Sequence, residues 1–98
     1  MKVENCVLKN CQFINCNLSD FDGTETIFDE CTFLKSGFNN NLFELCHFLK
    51  PIFESSPLGS ATIINCKFSN SKKSIEFEGN MFLLEILDQI NNLHIDEE

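Results

Sequence analysis

The sequence predicts a repeat-built solenoid with a helix at its C-terminal end. Two observations carry this: a five-residue period in side-chain size, and an apolar stripe at helical spacing in the last twenty residues. A third, the confinement of all six cysteines to one phase of that period, fixes the register.

Written in columns of five, one column runs Val3, Leu8, Phe13, Leu18, Gly23, Phe28, Phe33, Phe38, Phe43, Phe48, Phe53, Leu58, Ile63 and Phe68. Thirteen of these fourteen are large and apolar, and eight of the eleven Phe lie among them. The column two residues earlier is mostly small and holds Cys6, Cys11, Cys16, Cys31, Cys46 and Cys66. The lone Gly of the large column, Gly23, follows the lone Phe of the small column, Phe21. Dense packing makes this read as volume compensation.

A small residue, a polar one, Leu or Phe, then two mostly polar residues, sustained over about residues 3–70, resembles the pentapeptide-repeat family. The resemblance implies an all-β fold, a right-handed quadrilateral β-helix of about 3.5 coils. Four pentapeptides make each square coil of twenty residues, and both columns point inward. Coils then stack at about 4.8 Å, and the two ends are sheet edges that need covers. Asn5, Asn10 and Asn15 fall near corners, where Asn tolerates turn geometry. Asn41 and Pro51 depart from the small column, and the phase fails at Lys73. A shift of four residues restores it over 74–77, which predicts one last short strand. Residues 54–60 ("ESSPLGS") either stay in the coil or bulge from it.

Residues 80–93 place Leu83, Ile86, Leu87, Ile90 and Leu93 at helical spacing, with Asn80 as N-cap. That helix either covers the last coil or pairs with a second copy across a two-fold axis. The boundaries are residues 1–78 for the β-helix and 79–98 for the helix and acidic tail.

The net charge of −8 and the absence of Arg exclude a nucleic-acid-binding surface. No signal-peptide plan and no apolar run of about 18 residues is present, so a soluble, cytoplasmic protein with reduced thiols is expected and no membrane contact. The cysteines read as small buried hydrophobes. Cys6, Cys11 and Cys16 fall at successive corners, which suits no zinc site, and thiols twenty residues apart run parallel, an awkward disulfide geometry. His47 lies in an outward column with no nucleophile placed beside it, and His94 lies near the helix end. Four scattered Gly supply no phosphate loop. No metal, no cofactor and no enzymatic activity are expected.

Function is then sought on the outside. Some members of the family resemble duplex DNA in outline and charge, and protect or inhibit DNA gyrase. The resemblance therefore implies a protein partner, such as a topoisomerase or a host-defence nuclease complex. Residues 1–73 hold eight acids and seven lysines, and residues 74–98 hold seven acids and no base. Five acids cluster at Asp20, Asp22, Glu25, Asp29 and Glu30. Stacking by twenty sets Asp22 by Lys2, Asp29 by Lys9 and Glu30 by Lys50, which is ordinary cross-strand stabilisation and leaves Asp20 and Glu25 as partner-binding candidates. Outward apolar residues add Val7 on Ile27, Ile14 on Leu34, and Leu42, Leu45, Leu49 and Ile52 round the next coil. Contiguous apolar surface marks a protein contact, homodimeric or heteromeric. The expectation is a non-enzymatic binding protein that inhibits or protects a nucleic-acid-binding enzyme. The alternative is a self-associating scaffold that dimerises through Leu83, Ile86, Leu87 and Ile90.

Overall fold

The computed structural model describes residues 2–95. The acidic tail expected at 96–98 and the side chain of His94 lie outside the described residues. Nine three-residue strands wind into three coils: β1 (Lys2–Glu4), β2 (Val7–Lys9) and β3 (Gln12–Ile14) in the first, β4 (Asp22–Thr24), β5 (Ile27–Asp29) and β6 (Thr32–Leu34) in the second, β7 (Leu42–Glu44), β8 (His47–Leu49) and β9 (Ile52–Glu54) in the third. The longer β10 (Thr62–Ser69) begins a fourth coil. Every parallel pairing joins residues twenty apart, as in Val3 with Gly23, Leu8 with Phe28 and Phe13 with Phe33. The fourth side of the square is marked by the bridge between Asn17 and Gly37.

The five-residue period is a corner device. Residues 5, 10, 15, 20, 25, 30, 35, 40, 45, 50, 55 and 65 all have φ between 48° and 60°. One left-handed residue after each short strand turns the chain through a corner, and the polar short side chains at Asn5, Asn10, Asn15, Asp20 and Asn40 suit it. Residues 54–60 remain in the coil: Phe38 N–H bonds Pro57 O at 2.9 Å and Leu58 is buried. There the left-handed residue is Gly59 (φ 44°), where a Cβ would stand 2.5 Å from Phe38 O.

The large column fills the interior. On the β2/β5/β8/β10 side, Phe28 stacks on Phe48 (centroids 4.6 Å apart) and Phe48 on Phe68 (4.8 Å). On the β3/β6/β9 side, Phe33 stacks on Phe13 and Phe53, each at 5.0 Å. The ring spacing is the strand spacing, so the ladder of backbones sets the ladder of rings. Phe21 points inward and meets Phe28 and Phe43 edge-on. A Cβ at Gly23 would come within 3.2 Å of Phe43, the ring that Phe21 meets edge-on, so the side chain missing at Gly23 makes room for Phe43.

The small column does more than save space. Ser36 Oγ donates to Phe13 O (2.9 Å), Ser56 Oγ to Phe33 O (3.0 Å), Cys31 Sγ to Leu8 O (3.3 Å) and Cys66 Sγ to Phe43 O (3.0 Å). Each of these four side chains therefore bonds a carbonyl of the coil before its own. Asn41, the apparent misfit, does the same twice over: its amide nitrogen donates to Leu18 O and Phe21 O, both at 2.7 Å. These bonds add side-chain stitches between successive coils to the backbone ladder.

The last element differs from the expected short strand. After Ser69 the chain reverses at Asn70, whose Oδ1 accepts the N–H groups of Lys72 and Lys73. β11 (Ser74–Phe82) then runs back antiparallel along β10, with a bulge between Ile64 and Cys66. Asn80 is therefore a strand residue and not an N-cap. A 3-10 turn over Leu83–Ile86 leads into α1 (Leu87–Ile95). Leu83, Ile86, Ile90 and Leu93 are buried in the main core, and Leu87 packs against it. Leu83 N–H bonds Ala61 O at 2.9 Å, and Asn70 Nδ2 bonds Leu93 O at 2.5 Å. The helix is thus the cover of the last coil, and the apolar face expected to dimerise is buried inside its own chain.

The first coil is built differently. Val3, Leu8, Cys11, Phe13 and Cys16 are only half-buried, whereas their equivalents one coil on, Gly23, Phe28, Cys31, Phe33 and Ser36, are buried. Among the described residues nothing covers this end.

Candidate functional site

Four sides and two ends are available, and chemistry is distributed unevenly over them. The β1/β4/β7 side and its following corner carry Asp22, Glu25, Glu44 and, across the bulge from Asn65, Glu78 of β11. Glu44 stacks on Thr24, and Thr24 on Glu4, so the acids climb the solenoid in one strip. Lys2 pairs with Glu4 at 3.0 Å. Its ammonium is held above the ordinary lysine value by Glu4, with the negative charges of Asp22 and Glu44 adding to the effect. Lys9, Lys50 and Lys67 belong to the next side and its corner, together with Asp29 and Glu30.

The register places all three expected acid–lysine neighbours side by side, but they behave differently. Glu30 and Lys50 close to 3.7 Å. Lys2 takes Glu4 instead of Asp22, whose Oδ1 accepts the Leu42 N–H at 2.9 Å. Asp29 and Lys9 are register partners. Asp20 and Glu25 both occupy left-handed corners, on different edges of the square.

The apolar candidates divide by exposure. Val7 (63% exposed), Ile14 (49%), Leu42 and Leu45 (50%) stand out into solvent, whereas Ile27, Leu34, Leu49 and Ile52 are half-buried between coils. Leu45 occupies a left-handed corner (φ 55°), the single large apolar residue to do so among the described residues. Phe82 and Leu84, at 50% and 58% exposure, were not among the candidates. Phe82 pairs with Thr62, which pairs with Leu42, so Phe82 and Leu42 share one column of the β1/β4/β7 side. Its signal was hidden because 80–93 reads as one helical stripe.

His47 corrects one expectation. Its Nε2 lies 2.7 Å from Ser69 Oγ, so a hydroxyl does sit beside it, one diagonal step from its register partner Lys67. Burial, then the Lys67 charge, lowers the imidazole pKa, and Asp29 opposes them weakly. Ser69 is buried at the β10/β11 turn, so the pair braces adjacent coils. The nearby depression, about 300 Å³ between Leu45, His47, Lys67, Glu76 and Glu78, is open and is not lined by Ser69. The thiols lie inward and unpaired. The Cys46 thiol is pushed well up by its hydrogen bond to Cys66 and by burial, and burial pushes Cys31 up as well. Among the described residues no three metal-ligating side chains converge, and no helix is long and apolar enough to cross a membrane.

Comparison of the chain with protein-family models, with curated proteins and with solved structures found no match. The three-coil parallel solenoid with its C-terminal helix therefore stands on its own residues.

Proposed function

We propose that this chain is a pentapeptide-repeat protein and a non-enzymatic binding protein that acts by occupying a surface of a protein partner. In its most concrete form it inhibits or protects a nucleic-acid-binding enzyme, a topoisomerase or a host-defence nuclease complex, by standing in for the duplex. The observation that supports the reading is the acidic strip of Asp22, Glu25, Glu44 and Glu78, on a side where Lys2 is engaged by Glu4 at the open end, with Lys9, Lys50 and Lys67 on the next side. A predominantly negative strip steers a basic cleft toward itself and repels nucleic acid. The six unpaired thiols suit a reducing, cytoplasmic setting. A scaffold reading loses its expected element, since Leu83, Ile86 and Ile90 are buried.

The test is a gyrase supercoiling assay and a nuclease-protection assay, each with wild type and with Glu25→Lys/Glu44→Lys. Wild type is expected to act in at least one, with its potency falling as salt rises. The double variant should lose about tenfold or more. Absence of any effect at large molar excess across such enzymes refutes the proposal, as does full potency of the variant.

A further inference from the structure

We propose that the open first coil is a self-association surface, and that its occupant is a second copy of this chain meeting it end to end. The inference is independent of the partner proposed above, because it concerns a different surface.

The backbone points to an unfinished ladder. In the second coil, Ile27 N–H bonds Cys6 O (2.9 Å) and Asp29 O accepts Asn10 N–H (2.8 Å), so the outward residues of β5 turn their polar groups toward the first coil. On β6, Thr32 N–H bonds Cys11 O (2.9 Å) and Leu34 O accepts Asn15 N–H (3.0 Å). By the same register, Val7, Lys9, Gln12 and Ile14 turn theirs toward the open end. An exposed edge of this kind is a template for another strand.

The shape of that end selects the arrangement. A coil climbs as it turns, so its end is a ramp. Two ramps related by a two-fold axis mesh along all four sides only when the axis passes halfway round, at the corner of Asn10 and Cys11. An axis through any one side leaves a step of up to one coil, about 4.8 Å. The halfway axis sets β2 antiparallel to β3 of the second copy. Val7 then faces Ile14, Leu8 faces Phe13, and Lys9 faces Gln12.

This pairing matches the chemistry at three levels. The edge-facing residues, Val7 with Ile14 and Lys9 with Gln12, fall in the hydrogen-bonded positions of an antiparallel ladder. Val7 and Ile14, the two exposed large apolar residues among those described in this coil, cover each other twice, once on each side of the axis. No like charges meet, because Glu4 faces Asn17 and Lys2 faces Ser19. The half-buried Leu8 and Phe13 acquire the cover that their equivalents already have. Each copy presents one coil of twenty residues, the size of a patch that buries on the order of 1,000 Å² in total, the threshold for a specific interface.

The test is the solution mass by light scattering and sedimentation over a concentration series reaching about 100 µM, above the micromolar dissociation constants ordinary for interfaces of this size. Wild type is expected at twice the 11.2 kDa chain mass. Val7→Lys/Ile14→Lys puts lysine opposite lysine on both sides of the axis and should weaken association at least about tenfold. Val7→Lys/Ile14→Glu puts opposite charges there and should restore it. Both positions are exposed, so the folded monomer tolerates the changes, which far-UV circular dichroism checks. A wild type that stays monomeric throughout overturns the proposal. So does a dimer indifferent to the Lys/Lys variant, and failure of the Lys/Glu variant to restore association overturns the register.

Discussion

Ser36 decides whether the small column is a spacer or a set of stitches. It is fully buried, its Oγ donates to Phe13 O at 2.9 Å with Leu34 O at 3.2 Å, and it accepts the Cys16 N–H at 3.2 Å. Ser36→Ala removes almost no volume, so a pure spacer role predicts almost no cost. The hydrogen bonds predict otherwise. Two bonds are lost at about 0.5–1.5 kcal/mol each, and a carbonyl and an amide of the first coil are left without this partner, so the total is about 2–3 kcal/mol. For a chain of this size that lowers the melting temperature by roughly 10–20 °C. Ser36→Cys keeps a donor and loses the good acceptor, so it should cost about 1 kcal/mol. Urea unfolding followed by circular dichroism, at a fixed dilute concentration, measures all three proteins. An Ala variant within about 0.5 kcal/mol of wild type, or a Cys variant as unstable as Ala, refutes the stitching argument.

Three further outcomes follow from named positions. Leu45 occupies a left-handed corner that costs a Cβ-bearing residue roughly 1–2 kcal/mol, and Asn bears less of this penalty, so Leu45→Asn should raise stability in urea. His47 has a lowered folded-state pKa, so its contribution is complete above the unfolded value of about 6.5 and is lost as pH falls through the lower folded value. His47→Asn should flatten stability against pH in that window, and an unchanged slope counts against it. In dilute protein, Cys6, Cys11 and Cys16 should react with a maleimide long before Cys31, Cys46 and Cys66, which need unfolding; mass spectrometry of the alkylated chain distinguishes three fast sites from six.

The coil was legible because one physical event recurs every five residues. A corner demands a left-handed residue, and the strand between corners has room for one large inward side chain, so size alone reports the register of every parallel strand through Ser69. The same columns could not show that Cys31 and Cys66 donate to carbonyls of the preceding coil, because a thiol and a methyl look alike to a volume argument. β11 was half visible. Its antiparallel direction arises from the Asn70 turn, and residues 80–82 fall inside the 80–93 range that the helical spacing assigns to the helix. His47 and Ser69 meet on a diagonal, which a column reading does not connect. The expected charge neighbours were right as positions, while Lys2 chose Glu4 because that contact lies within its own strand.

The uniform register has a consequence for how order arises. Each parallel coil must close a span of twenty residues onto the one beside it, an entropic cost of about 2.7 kcal/mol plus a constant, repeated without variation. One closure is cheap, the hairpin of β10 and β11 through residues 70–73, with the helix packed behind it. The difference predicts that order spreads from the covered end backward, coil by coil, opposite to the direction of synthesis, so that the Phe-rich coils wait for the segment that seeds them.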